Sequence, residues 1–362
     1  MKILVVGNGS IGVYNNISFF INNHTGNFLQ DISEVHSVSF TQSSSVYDQN
    51  NNLLNFDLVT HSLNFELLPN IKSLSFFIKI FQLIRSYDFL YIFYPGTIGK
   101  IMAYVANLLG KPIGLYIRGQ YYNQSFIDRI ILNRAKFILS VSPSLSNDLL
   151  RFCDNVDVIK PMINIQLSDF NLDRNYDAPK LINLLFVGRV EERKGIYELI
   201  EIAKKLKFND FNFVLNIVGG GDLFDKVKIL ITDSGLQEYI MFHGLISDKD
   251  SLKLMYDNAD AFIFTSHDEG FPRVLYEAMA SGLPIFTTFV GGISGRMKHL
   301  YNCIEIPVKD STNAGVIVNQ YLDQVEVLEK VGRKGQETLK EILNGSLLSH
   351  SDLLLKKLIN EK

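Results

Sequence analysis

Glu269 and Glu277 bracket the run Glu269-Gly270-Phe271-Pro272-Arg273-Val274-Leu275-Tyr276-Glu277. Pro272 suits the first turn of a helix, because the N–H that proline lacks has no intrahelical partner there anyway. The helix body is then expected over residues 273–281, with Gly282 as its stop. That puts Glu269 in the loop ahead of the helix and Glu277 about one turn inside it. Between them, the backbone N–H groups of Arg273, Val274 and Leu275 point out of the helix start, where the macrodipole favours negative charge. Such a helix end can hold a diphosphate, with one carboxylate on sugar hydroxyls and the other on ribose hydroxyls. An acidic cap plus a surface glutamate would leave the same pattern.

A second charged group lies upstream. Residues 184–187 read as a strand running into Gly188-Arg189, and Glu191-Glu192-Arg193-Lys194-Gly195 opens the next helix. Cations at a helix N-terminus are disfavoured by a few tenths of a kcal/mol each, and a bound anion reverses that sign. The arginine fork and the lysine point charge would together neutralise a diphosphate leaving group. Pairing with Glu191, Glu192 or solvent is the competing reading, and this segment alone does not choose.

The third pattern is Gly7-Asn8-Gly9-Ser10-Ile11-Gly12, which follows a strand and is expected to open a helix near residues 12–22. It satisfies GxGxxG, so an NAD-dependent oxidoreductase is the alternative function. That fingerprint also requires a carboxylate at the end of the second strand. Here the strand ends Ser37-Val38-Ser39-Phe40-Thr41-Gln42, and Glu34 lies at its wrong end. A tight turn, or a glycine loop lining a cleft against a sugar phosphate, are the other readings. Asp248-Lys249-Asp250 has the DxD form of a metal site, but Ser247 followed by Asp250 reads as a helix cap. No metal is expected. His24, His36, His61 and His350 are expected at the surface or in loops, and His267, two residues from Glu269, either reaches the cleft or is filler.

These residues need elements to position them. Strands are expected at residues 2–6, 34–40, 89–93, 113–117 and 137–141, then at 184–187, 213–218, 240–242, 261–264 and 285–288. Helical stretches between them include 71–87, 98–109 and 145–152, whereas 41–64 reads as an irregular loop or weak hairpin. Alternation of this kind predicts an α/β protein with parallel sheets and crossover helices. The 362 residues suggest two domains. Residues 1–170 form the first and the polar segment 171–180 a linker. Residues 181–345 form the second, and residues 346–362 a helix packing back toward the first. Net charge changes from +1 before residue 171 to −4 after it.

Composition excludes other classes. With 47% hydrophobic and 20% charged residues the chain can fill large cores. A net charge of −3 argues against a general nucleic-acid binder. Cys153 and Cys303 form no CxxC or Cys/His cluster, which fits a reducing, cytoplasmic compartment. No apolar run reaches the length of a membrane span. The stretch from Ser73 to Tyr87 combines Phe76, Phe77, Ile80, Phe81 and Ile84 with Lys72, Lys79 and Arg85. It is either a core-packed amphipathic helix or one resting on the inner face of an anionic membrane.

In order and spacing, residues 181–292 resemble the retaining family-4 glycosyltransferases (glycosyl transferases group 1, GT-B fold). The resemblance rests on Gly188-Arg189 with Lys194-Gly195, Gly219-Gly220-Gly221, Phe242-His243-Gly244, the Glu269…Glu277 block and Val290-Gly291-Gly292. It implies two Rossmann-like domains facing across a cleft and a nucleoside-diphosphate sugar donor of UDP or GDP type. It also implies transfer to a saccharide or lipid-linked saccharide in surface polysaccharide synthesis, with no cofactor. By that resemblance Arg189 and Lys194 bind the donor diphosphate, Glu269 the sugar, and Glu277 the ribose, alongside Gly270, Phe271, Pro272, Arg273, Val274 and Leu275. Gly9 then approaches the donor phosphate or the acceptor, and Arg118 the acceptor. The family's histidine turn is absent from Tyr116-Ile117-Arg118-Gly119-Gln120, and Ser294-Gly295 replaces its usual Pro-Glu. A GT-B sugar-nucleotide isomerase or silent binder is the remaining alternative.

Overall fold

The structure is a computed structural model that describes residues 1–362 except 48–53, 120–124, 164, 178–179 and 360–362. The chain divides into two compact units. Unit 1 comprises Met1–Met162 with Ser346–Lys362, and unit 2 comprises Ile163–Gly345.

In unit 1 the elements run β1 (Lys2–Tyr14), β2 (Ser18–Ile21), α1 (Asn23–Ser33), β3 (Ser37–Val46), β4 (Phe56–Asp57), β5 (Asn64–Leu67) and α2 (Leu74–Ser86). They continue with β6 (Phe89–Tyr94), α3 (Thr97–Leu108), β7 (Ile113–Ile117), α4 (Phe126–Arg134), β8 (Phe137–Ser140), α5 (Pro143–Leu149) and β9 (Val156–Val158). Unit 2 runs β10 (Ile182–Val187), α6 (Ile196–Phe208), β11 (Phe213–Val218), α7 (Phe224–Asp233), β12 (Ile240–Gly244), α8 (Lys249–Asn258) and β13 (Ala261–Phe264). It ends with α9 (Arg273–Ala280), β14 (Ile285–Thr288), β15 (Ile304–Ile306), α10 (Ser311–Tyr321) and α11 (Val325–Asn344). The last helix, α12 (His350–Ile359), belongs to unit 1.

Each unit is a doubly wound α/β sheet. Unit 2 has the strand order β12-β11-β10-β13-β14-β15, all parallel. Strands β13 and β14 are buried along their whole length, as apolar runs covered on both faces must be. In unit 1, β5-β3-β1-β6-β7-β8-β9 run parallel, and β2 and β4 add antiparallel pairs beyond β1.

The N-terminal glycines do not open a helix. β1 continues through Gly7, Gly9 and Gly12 to Tyr14, with a register shift against β3 between Val6 and Ser10, and turns into β2. The stretch expected as a helix near residues 12–22 is therefore a hairpin. The cause is crowding: a Cβ at Gly7 would lie 2.2 Å from Gln42 Oε1 and one at Gly9 2.7 Å from Gln42 Nε2. These glycines let β1 run close against the Gln42 side chain of β3. With no helix N-terminus after them, the dinucleotide-site reading loses its physical basis. Similarly, β3 extends to Val46 where an irregular loop was expected, while residues 48–53 of that loop lie outside the described residues.

The expected linker packs instead of spanning. Phe170 joins the unit 2 core, the Asn171 N–H donates to the Ala280 carbonyl at 3.0 Å, and Arg174 Nη1 donates to the Ser281 carbonyl at 2.8 Å. The division falls before it, at Met162, and again at Gly345. Pro179 of that segment lies outside the described residues.

His350, expected at the surface, is only 4% exposed. Its ring stacks 4.1 Å from Phe28, lies 4.1 Å from the Tyr116 ring, and its Nε2 shares a 2.6 Å hydrogen bond with Tyr91 Oη. Burial pushes its pKa down to about 3, helped by the Arg118 charge. An unfolded histidine titrates near 6.5, so between those values the unfolded chain holds a proton that the folded chain refuses. Stability is therefore full above about pH 6.5 and falls as pH drops toward 3, by about 2 kcal/mol at pH 5. Urea unfolding at pH 7 and pH 5 should show that loss in the native chain and a flatter dependence in His350→Phe. Equal slopes would remove His350 as the cause.

Candidate functional site

Strand order in unit 2 reverses between β10 and β13. In open α/β sheets ligands bind beyond the carboxyl ends of strands at such a switch point. Residues 188–195 follow β10 there, and residues 265–269 follow β13.

The two segments are stitched together. Thr265 Oγ1 donates to the carbonyls of Lys194 (3.0 Å) and Gly195 (2.8 Å), Ser266 Oγ to that of Arg193 (3.1 Å), and the His267 N–H to the same Arg193 oxygen (2.9 Å). Gly195 holds φ +68°, and a Cβ on it would meet the Thr265 carbonyl oxygen at 2.0 Å. Only glycine fits that approach. On top of this backbone, Lys194 Nζ pairs with Glu269 Oε1, which also accepts from Ser266 Oγ at 3.0 Å. The Lys194 and Glu269 side chains are 17% and 13% exposed, so the pair is mostly withdrawn from water. Gly291 supports Glu269 from behind: at φ +55°, its Cβ would lie 1.6 Å from the Glu269 carbonyl oxygen.

Four residues beyond Glu269, helix α9 begins. Pro272 is its N-cap, one position earlier than expected, and supplies no side-chain cap. The first turn holds no acidic residue, so nothing on the helix itself answers its positive end. Of the three N–H groups expected to meet an anion, that of Leu275 is spent on the Pro272 carbonyl at 3.2 Å. Val274 packs against the core, while Arg273 is exposed. The approach to the helix is held by Phe271, whose ring lies 4.5 Å from that of Tyr276 with the Arg296 guanidinium 5.8 Å away. Gly270 is partly exposed between Phe271 and Glu269.

Glu277 accepts a 2.8 Å hydrogen bond from the Oη of Tyr256, which is 2% exposed on α8. Burial raises the Glu277 pKa above the ordinary carboxylate range, against the opposing pull of the Tyr256 hydroxyl and the Arg273 charge. No spacing in the sequence linked Tyr256 to Glu277. The cations divide between the two readings left open above. Lys194 meets Glu269, whereas Arg189 and Arg193 each approach Glu191 Oε1, at 3.3 and 3.7 Å, and stay about two-thirds exposed. Lys194 and Glu269 thus meet in the segment that leads into α9, while Arg189 pairs with Glu191.

His267 is more than filler. Its Nε2 lies 2.8 Å from Glu198 Oε1, tying the loop before Glu269 to the first turn of α6. The Asp248 carboxylate of the DxD sequence accepts from the Ser251 N–H at 2.8 Å, so it caps α8 one residue later than the expected Ser247. The remaining two site residues belong to unit 1. Gly9 is exposed in β1, its carbonyl accepting from Ser43 Oγ at 2.8 Å, and Arg118 is exposed just beyond β7.

Residues 171–338 match the family model for glycosyl transferases group 1. An uncharacterized glycosyltransferase of Methanocaldococcus jannaschii is 33% identical over 188 residues, covering 48% of this chain and 47% of that protein. The chain therefore spans about half the length of that relative. The capsular polysaccharide biosynthesis glycosyltransferase CapM of Staphylococcus aureus is 24% identical, covering 70% of this chain and 71% of that protein. Among solved structures, Anabaena HepE in complex with UDP superimposes with a TM-score of 0.72 at 16% identity, over 99% of this chain and 100% of that one.

Proposed function

We propose, from the premise that residues 171–338 belong to the glycosyl transferases group 1 family and that the chain has the GT-B fold, that it transfers a sugar from a nucleoside diphosphate to a saccharide or lipid-linked saccharide. The observation that carries the reading is the Lys194–Glu269 pair at the β10–β13 switch point, four residues ahead of a helix whose start has no side-chain cap. A diphosphate placed there gains from the α9 dipole and from Lys194, with Arg189 as a second cation. The Glu269 carboxylate takes sugar hydroxyls, and Glu277, held by Tyr256, the ribose. Gly9 of unit 1 serves the donor phosphate or the acceptor, and Arg118 the acceptor.

Transfer proceeds with retention. The acceptor hydroxyl attacks the anomeric carbon from the face the diphosphate leaves, the new C–O bond forms as the C–O bond to phosphate breaks, and the departing phosphate oxygen takes the hydroxyl proton. Lys194 and the helix start stabilise the charge that develops on that phosphate, and this is where such a site gains rate. HepE was solved with UDP, and CapM is a glycosyltransferase of capsular polysaccharide biosynthesis. The first supports a nucleotide-sugar donor and the second a surface-glycan product. Two free buried cysteines, Cys153 and Cys303, support a cytoplasmic site of action.

A thermal-shift panel tests the donor. UDP or GDP at a hundredfold excess over its dissociation constant should stabilise the chain by about 2.7 kcal/mol, and NADH should not. Stabilisation by NADH alone, or by no nucleotide, would sink the proposal. Release of the nucleoside diphosphate from a sugar nucleotide in the presence of acceptor then reads the transfer itself.

A further inference from the structure

Helices α2, α3 and α4 lie side by side over one face of the unit 1 sheet. Their inward residues, such as Phe76 and Ile80, Met102 and Ala106, and Ile131 and Leu132, share one core. Their outward residues are apolar as well. On α2, Leu74, Phe77, Ile78 and Phe81 are 76%, 50%, 52% and 41% exposed; Leu108 of α3 is 67% and Ile127 of α4 45% exposed. Helix α1 packs into the other core cluster of unit 1 and keeps its large apolar side chains Phe28, Leu29 and Ile32 buried. Apolar exposure on this scale is unusual on a surface that meets only water.

Charge separates this face further from the rest of a chain whose net charge is −3. The three helices contain Lys79, Arg85, Lys100, Arg129 and Arg134. Their one acidic residue, Asp128, is fully buried and is held by Lys100 at 2.9 Å. The Arg85 guanidinium lies 5.4 Å from the centre of the Phe81 ring, so cation and aromatic are presented together. Between α3 and α4 a cavity of about 310 Å³ is lined by Tyr104, Asn107, Leu108, Ile130, Asn133 and Arg134. Within it the Asn107 amide nitrogen is buried with no hydrogen-bond partner.

We infer that the outer face of α2, α3 and α4 docks on the surface of an anionic lipid bilayer. Phe77, Phe81 and their aliphatic neighbours enter the boundary between headgroups and acyl chains, while Arg85, Arg129 and Arg134 meet lipid phosphates. Lys79 pairs with Glu66 at 2.8 Å and Lys100 with Asp128, so the net charge of the face is that of Arg85, Arg129 and Arg134. A second copy of the chain is the poorer occupant, because a two-fold contact would press these arginine-bearing faces together. The inference goes beyond the donor chemistry, and its test reads binding rather than transfer.

Flotation of the full chain with vesicles decides it. Binding is expected to phosphatidylcholine vesicles containing phosphatidylglycerol, not to phosphatidylcholine alone, and should be released by salt. The double variant Arg129→Gln, Arg134→Gln should lower vesicle partitioning about thirtyfold, and Phe77→Asp with Phe81→Asp should abolish it. All four side chains are exposed, so thermal unfolding and the UDP-induced thermal shift should match the native chain. That match also separates failure here from failure of the donor proposal. Three results would overturn the inference. They are no binding to the anionic vesicles, equal binding by both variants, and a sedimenting dimer that the phenylalanine variant breaks.

Discussion

Lys194→Ala should lower sugar transfer about a thousandfold and destabilise unit 2 at the same time. The first effect follows from removing a cation aimed at a departing diphosphate, a class of contact worth about 3–4 kcal/mol in the transition state. The second follows from burial: Glu269 is 13% exposed and would keep its charge with only Ser266 to answer it. Fully buried pairs lose 3–5 kcal/mol when one partner goes, and the residual exposure here reduces that to about 2 kcal/mol. The sequence alone placed Glu269 in the loop ahead of one helix and Lys194 at the opening of another, with no contact between them. Glu269→Gln keeps the side-chain shape and the Ser266 contact, and should lose transfer by a similar factor with a smaller stability cost. The double variant Lys194→Met, Glu269→Gln separates the two effects. It should regain most of the lost stability in urea unfolding and none of the transfer. Recovery of transfer in that variant would make the pair structural and remove both residues from the chemistry.

Gly291→Ala should be the most damaging single methyl group in unit 2. Its φ of +55° costs a β-carbon about 1 kcal/mol before any contact, and the added atom would lie 1.6 Å from the Glu269 carbonyl oxygen. Backbone on both sides leaves no flexible side chain to yield, so the segment carrying Glu269 has to move. Loss of several kcal/mol in urea unfolding is expected, together with loss of transfer through displaced Glu269. Gly195→Ala, facing the Thr265 carbonyl at 2.0 Å, should behave alike. Gly220→Ala is the control, since no neighbouring atom lies within 4 Å of its Cβ position, and its stability should stay within about 0.5 kcal/mol. Native stability in Gly291→Ala would show that the turn behind Glu269 relaxes freely.

Much of unit 2 is legible in the amino-acid sequence. Its strands are short apolar runs between helices, with β13 and β14 buried along their whole length, and such runs announce a parallel sheet. Helix α9 announced itself through Pro272 and Gly282. Strand β15, three residues long, carries too little pattern to stand out.

The N-terminal glycines show the opposite case. Gly7, Gly9 and Gly12 fit a phosphate loop by spacing, yet they lie in a strand, Gly7 and Gly9 pressed against Gln42 and Gly12 against Leu54 and Tyr47. A glycine records only that something comes close, not whether the neighbour is a ligand or a side chain from the next strand. His350 shows the same limit. Its short helix has no apolar environment of its own in sequence, and the aromatic pocket that buries it is assembled from Phe28, Tyr91 and Tyr116.

The sequence by itself thus determined the residue types at the site and the elements that carry them, because backbone periodicity, proline and glycine act over a few residues. Only the tertiary structure decided partners: Lys194 to Glu269, Tyr256 to Glu277, Glu198 to His267. Those pairings depend on which strands become neighbours at a switch point, and adjacency in a sheet is a long-range property that local spacing does not encode.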